Sequence, residues 1–280
     1  MYQSVYFESW ASKWTTDGQK MDLALIHESQ PSVNIVNLAF ASPTGKYKKG
    51  SFTFEDTGLQ FSQNFSVVKQ AIAVLTSNHC KVVLSVGGSD YPYNATPPYA
   101  NYQDMVDLAS DLGCTGIDID WEPPKGYSAS ADFGPLIAAF RRVMPTSMFL
   151  SAAVWGTGAY PPKPSDLWSG LNTVGLRTHG GQLNCINIMA YDAGTVPTDF
   201  DPQKSFASYR SIYKGAICLG IEPGPMGWGN YLTTQKDVVD ACTCVKKDGN
   251  GGIFIWSWYK DTKGSPSVAE IIQTAKSIFN

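Results

Sequence analysis

Apolar, β-prone runs recur along the whole chain, at roughly 4–10, 33–41, 81–88, 115–122, 148–155, 184–191, 216–222 and 252–258. Their start-to-start spacings are 29, 48, 34, 33, 36, 32 and 36 residues. Between most of them the apolar positions fall at helical rather than alternating intervals, the signature of an amphipathic helix. Asn64 is placed to cap a helix over 65–78, with Val67, Val68, Ala71, Val74 and Leu75 on one face. Further helices are predicted over 102–112, 133–143, 167–176, 236–245 and 268–278. The one long interval, 45–63, holds two short β-prone pieces, 51–54 and 59–61, split by Asp56-Thr57-Gly58, and reads as a hairpin excursion.

Eight strand–helix units at this beat predict an α/β protein, a single (β/α)8 TIM barrel spanning residues 1–280. An open doubly wound sheet is the competitor. It is disfavoured because no GxGxxG follows the first strand and the beat continues to the C-terminus. No linker, low-complexity tract or second domain interrupts the pattern.

The fourth run changes the picture most. In Thr115-Gly116-Ile117-Asp118-Ile119-Asp120-Trp121-Glu122 three acids occupy alternate positions. Side chains alternate faces along a strand, so Asp118, Asp120 and Glu122 share one face. Successive acids lie about 6.6 Å apart along it. Neighbouring like charges and burial both raise a carboxyl pKa. A solvated edge strand is the plain alternative, but Gly116, Ile117, Ile119 and Trp121 look like the flanks of a buried parallel strand. Pro123 and Pro124 then end the strand, since proline cannot donate to the ladder. Barrel enzymes carry their chemistry at the C-terminal ends of strands. Glu122 ends strand 4, Gly87-Gly88 ends strand 3, Tyr191-Asp192 ends strand 6, and Trp256 and Trp258 end strand 8. The two glycines are expected to let a ligand approach the backbone.

Composition narrows the ligand. Charged residues are 16%, below the ~25% typical of soluble domains, while aromatics reach 12% with eight Trp and fourteen Tyr. That balance suits a neutral, hydroxyl-rich ligand such as a sugar; it equally fits a large aromatic core. A net charge of −3 without any basic block argues against nucleic acid. No apolar run approaches the ~20 residues of a membrane span, and 2–10 already reads as a strand rather than a signal peptide. Six cysteines without a CxxC pair, and three His, make a zinc site improbable; no metal or cofactor is expected. Cys185 and Cys218 read as small core residues in strands, Cys242 and Cys244 as free thiols on a helix. Two N-glycosylation sequons, at Asn64 and Asn94, are weak signals because such tripeptides are common by chance.

Several motifs together resemble glycoside hydrolase family 18, the chitinases. Residues 116–122 resemble its DGxDxDxE signature, with Thr115 in place of the first Asp. Ser85-Val86-Gly87-Gly88 resembles SxGG and Met189-Ala190-Tyr191-Asp192 resembles MxYD. Tyr6 to Trp10, Ala39 to Ala41 and Ile255-Trp256 resemble the patterns of strands 1, 2 and 8. Ser89 and Pro123 stand where many chitinases carry sugar-contacting aromatics.

The resemblance implies substrate-assisted cleavage with retention, an exception to the two-carboxylate scheme of most glycosidases. Glu122 would be the general acid. Asp120 would hold the substrate's acetamido N–H, Asp118 would share a proton with Asp120, and Tyr191 would donate its hydroxyl to the acetamido oxygen. Trp256 would floor the sugar site, Tyr6, Phe40 and Met189 would line the acetamido pocket, and Asp192 would support the constellation. By pattern alone Tyr6, Phe40 and Met189 read better as barrel core, and only the resemblance reverses that. The resemblance also implies cis peptides at Ala39–Phe40 and Trp256–Ser257. Expected partners are chitin or N-acetylglucosamine oligosaccharides, bound by a monomer acting outside the cell. Without a domain inserted between strands 7 and 8, endo cleavage in an open groove is expected, with Tyr91, Tyr93, Trp155 and Trp228 as outer contacts. An endo-β-N-acetylglucosaminidase of glycan cores and a non-catalytic chitin-binding protein are the alternatives. Glu222, ending strand 7, is open between a solvated acid and a ligand contact.

Overall fold

Alternation along each apolar run sorts side chains onto two faces, and closure of the sheet turns one face inward. The computed structural model describes residues 1–123, 132–163, 165–166, 168–191, 200–226 and 230–280. Eight parallel strands form a closed barrel in chain order: β1 (Tyr2–Glu8), β2 (Ile35–Ala41), β3 (Lys81–Gly87), β4 (Gly116–Asp120), β5 (Phe149–Trp155), β6 (Cys185–Met189), β7 (Ala216–Ile221) and β8 (Gly251–Ile255). The helices are α1 (Ile26–Ser29), α2 (Phe65–Ser77), α3 (Tyr102–Leu112), α4 (Phe133–Val143), α5 (Thr173–His179), α6 (Pro202–Ile212), α7 (Gln235–Asp248) and α8 (Val268–Phe279). This is the (β/α)8 barrel that the beat of apolar runs predicts.

The outward face of the strands and the inward face of the helices make one core, with Val36, Leu38, Leu84, Ile117, Ile119, Ile188 and Ile253 buried in it. A second, smaller core fills the barrel lumen: Ile35, Val83, Phe149, Cys185, Ala216, Cys218 and Phe254. Between the two ends of the lumen lies a polar layer. Strand register sets Asp118 beside Ser85 on one side and Ser151 on the other. Asn37 and Ser4 join the layer through an Asn37 Nδ2 to Ser4 Oγ bond of 2.9 Å.

Asn64 caps α2 as expected, accepting from the Val67 N–H at 3.1 Å. The segment 45–63 differs from the predicted hairpin and forms no strand. Phe52 and Asp56 adopt positive φ of 51° and 60°, which breaks any extended run. Its apolar residues serve a different purpose: Phe54 packs on Phe61 and on Phe65 at 5.2 and 5.1 Å between ring centres. The loop is tied down by Asp111, which accepts from the Gly50 N–H and the Tyr47 hydroxyl. Helix α5 begins later than the expected 167–176, because Gly170 turns at φ 78° and Asn172 Oδ1 is spent on the Trp155 N–H; Leu167 lies outside the described residues. Cys185 and Cys218 sit in the lumen with Sγ atoms 3.5 Å apart, and Cys242 is buried on α7.

Candidate active site

Strand ends deliver the side chains to one mouth. Tyr6, Phe40, Ser89, Asp120, Glu122, Ala153, Trp155, Met189, Tyr191 and Trp256 line a cavity of about 270 Å³. Eight of the residues proposed from sequence, Trp155 among them, therefore share one wall system, drawn from β1, β2 and β5, and from β4, β6 and β8 with the residues that follow them. The Ala39–Phe40 and Trp256–Ser257 peptides are both cis. The Phe40 and Trp256 rings stack at 5.5 Å with 21° between planes, and Tyr6 meets Trp256 edge-on at 5.8 Å. These rings make an apolar floor.

Asp118 lies beneath this floor, fully buried. Its Oδ2 accepts from the Tyr6 and Ser85 hydroxyls, each at 2.8 Å. Its Oδ1 accepts from Ser151 Oγ at 2.6 Å and Asn187 Nδ2 at 3.3 Å. Burial pushes the Asp118 carboxyl above the usual range, against the pull of these four donors. Asp120 is almost as buried, and its Oδ1 has no hydrogen-bond partner. Burial first, then the Glu122 charge, then the Asp118 charge hold its carboxyl well above the usual range. Trp155 is the complementary case. Its ring stacks on Trp168 at 4.4 Å, and its Nε1 donor is buried without a partner.

Other expectations differ from the observed positions. Gly87 and Gly88 are not among the lining residues. A Cβ at Gly87 would meet the Asp120 carbonyl oxygen at 2.0 Å, and one at Gly88 would meet the Phe40 ring at 3.1 Å. The absence of a Cβ at each lets β3 lie close against β4 and the Phe40 ring. Tyr93 is buried and donates to the Val86 carbonyl, so it is a wall support and not an outer contact. Tyr91 donates to the Gly58 carbonyl, away from the lining. Trp258 packs into the outer core. Asp192 and Trp228 lie outside the described residues. Glu222 is not solvated: it is 1% exposed, pairs with Lys260, and borders a second cavity of about 250 Å³ that shares Tyr191 with the first. Sequence reading missed Trp10, which is exposed at the end of β1 and lies 6.1 Å from Phe40, extending the aromatic track outward. It also missed Ser151 and Asn187. Among the described residues no group of three or more His, Cys, Asp or Glu side chains is arranged to hold a metal.

The family model for glycosyl hydrolases family 18 matches residues 4–212. The chain belongs to that family. Solved structures share its architecture over nearly the full length. A family 18 chitinase from Pseudoalteromonas aurantia superposes with a TM-score of 0.72 at 18% identity, covering 99% of this chain and 100% of that one. A class V chitinase mutant from Cycas revoluta, in complex with (GlcNAc)3, gives 0.70 at 14%, with 100% of both chains covered. A chitinase-like agglutinin from Robinia pseudoacacia gives 0.65 at 16%, with 99% of both chains covered. At these identities the likeness carries the fold. This family 18 fold thus occurs in a protein described as an agglutinin as well as in chitinases, which leaves the chemistry to the residues at the mouth.

Proposed function

We propose that the protein hydrolyses β-1,4 bonds between N-acetylglucosamine units of chitin or its oligosaccharides, with the substrate's own acetamido oxygen as nucleophile. The observation that carries this reading is Asp120 Oδ1, a buried acceptor with no partner inside an aromatic-walled cavity. Buried polar atoms are nearly always paired, and one left open calls for a ligand donor. An acetamido N–H is such a donor, and its methyl suits the Tyr6, Phe40 and Met189 walls.

In this reading Glu122 protonates the leaving oxygen. Asp120 orients the acetamido group, and the single negative charge that the proton-sharing Asp118–Asp120 pair retains balances the oxazolinium. Tyr191 donates to the acetamido oxygen, an oxyanion-hole-like contact. Trp256 carries the sugar ring. No protein carboxylate is assigned as a nucleophile, so the acetamide fills that role, as in other substrate-assisted glycosidases. Trp155 Nε1 adds a second open partner, suited to a sugar hydroxyl or carbonyl. Action outside the cell accords with a polymeric substrate.

The reaction should need an N-acetyl group on the non-reducing side of the cut and should release a β-anomer first. NMR of the earliest product, and parallel digests of chitin and fully deacetylated chitosan, check this. An α-anomer, or efficient chitosan cleavage, would contradict substrate assistance. A high-mannose glycopeptide in the same digest tests the glycan-core alternative. Trp121 is buried, with its ring stacked on Phe133 at 5.3 Å between centres.

Cleavage should be endo and non-processive. Residues 222–250, between β7 and β8, include the helix α7 and are too short a stretch for an added wall domain. Ser89 sits exposed at the cavity where an aromatic grip would stand; ring contacts of this kind are worth about 0.5–1.5 kcal/mol each by analogy with aromatic pairs. Polymer viscosity should fall early, with mixed oligomers as products. Early dominance of the disaccharide with slowly falling viscosity would refute this.

A further inference from the structure

The lumen of a barrel of this kind is ordinarily filled with branched apolar side chains. Here its middle layer is polar around one carboxylate. Asp118 receives one donor from each of four strands: Tyr6 on β1, Ser85 on β3, Ser151 on β5 and Asn187 on β6. A carboxylate offers about four acceptor sites, and here all four are taken. Among the described residues no cation pairs with Asp118, so neutral donors alone hold its charge. Two of those donors, Tyr6 and Ser85, lie at positions matched by the family motifs. The other two occupy the whole of Oδ1 and come from strands 5 and 6.

We propose that Ser151 and Asn187 are positioning residues of the reaction: by saturating Asp118 Oδ1 they keep Asp118 the resident anion and leave the shared proton of the pair on Asp120. This inference rests on the proposed glycosidase reading for its kinetic consequence. A proton arriving at Asp118 must displace one of four donors, in a layer that solvent does not reach. Ser151 is 1% exposed and Asn187 4% exposed, so neither place opens onto bulk solvent. A proton arriving at Asp120 meets an oxygen that is already free of partners. The other titratable groups near Asp118 do not compete. The Tyr6 and Tyr93 phenols and the Cys185 thiol are all pushed upward by burial and stay neutral, and Glu122 stands beyond Asp120, after the end of β4.

The test is the pH profile of Ser151→Ala and Asn187→Ala against the parent, with Ser151→Thr as the variant that keeps a hydroxyl. Losing a donor to the ionised form raises the proton affinity of Asp118. The acid limb of kcat should therefore move to higher pH by about one to two units, the size of one charge-assisted bond. KM should change little, and Ser151→Thr should restore the parent limb. A second readout does not need activity: carboxyl-labelled aspartate followed by ¹³C NMR should show Asp118 titrating below Asp120 in the parent, with the gap narrowed in Ser151→Ala. An unmoved limb and an unchanged carboxyl order in a folded Ser151→Ala would overturn the proposal and leave these residues as packing alone. If the parent cleaves no N-acetylglucosamine substrate, the proposed function fails, while the NMR order still decides the inference.

Discussion

Replacing Glu122 with Gln is expected to abolish hydrolysis while leaving oligosaccharide binding measurable. Glu122 follows β4 and lines the same cavity as Asp120, Tyr191 and Trp256. The amide fills the same volume but has no proton to give to a leaving oxygen. Positioned acid catalysis is typically worth about 10²–10⁴-fold, and Asp120, the nearest carboxyl on β4, is the more buried of the two. Turnover of chitin oligomers and calorimetric titration with the same oligomers separate chemistry from binding. The variant carries a second signature. The Glu122 charge is the second-largest cause of the upward push on Asp120, so its removal should lower the Asp120 pKa. Near-parental turnover in a folded Glu122→Gln protein would remove Glu122 from the role of acid.

The acid row was legible because it is local: three carboxylates in eight residues, with strand alternation fixing their face. The strands were legible for the same reason, seven of them within two residues of their observed ends and β8 within three. Helix α6 went unread although Asp201-Pro202 is a cap followed by a proline at the first turn. The helix buries only Ser205, Phe206 and Tyr209, so its apolar stripe is thin. The 45–63 excursion was misread because alternating phenylalanines look the same whether they pair in a hairpin or fold down onto α2. What could not be read at all is the polar layer in the lumen. Ser151 and Asn187 matter only because neighbouring strands align them with Asp118, and register between strands is not written in either strand alone. Tyr93 was misplaced for a related reason. Its hydroxyl is claimed by the Val86 carbonyl, a contact that only the folded loop creates.

Replacing Asp120 with Asn should cost most of the activity and at the same time stabilise the protein near neutral pH. Both effects follow from one buried carboxyl. For activity, an amide cannot share a proton with Asp118 and so breaks the pair whose negative charge balances the oxazolinium, and losing one preorganised electrostatic partner of a transition state typically costs about 10²–10³ in kcat. For stability the sign follows from the direction of the shift. Burial, Glu122 and Asp118 hold the folded-state pKa of Asp120 well above its unfolded value. A carboxyl shifted upward favours the fold only at low pH, and that contribution is lost as pH rises through the folded pKa. At neutral pH the parent therefore carries a cost that Asn lacks. Thermal unfolding of both proteins from about pH 4 to 8 should show Asn ahead at neutral pH, by about 2–4 °C for each kcal/mol relieved. The difference should shrink as pH falls toward the unfolded Asp value, where the carboxyl is protonated in both states. The two readouts check different claims: a parental kcat would remove Asp120 from the reaction, and a neutral-pH loss of stability would show that Asp120 Oδ1 is better served in the free protein than its missing partner implies.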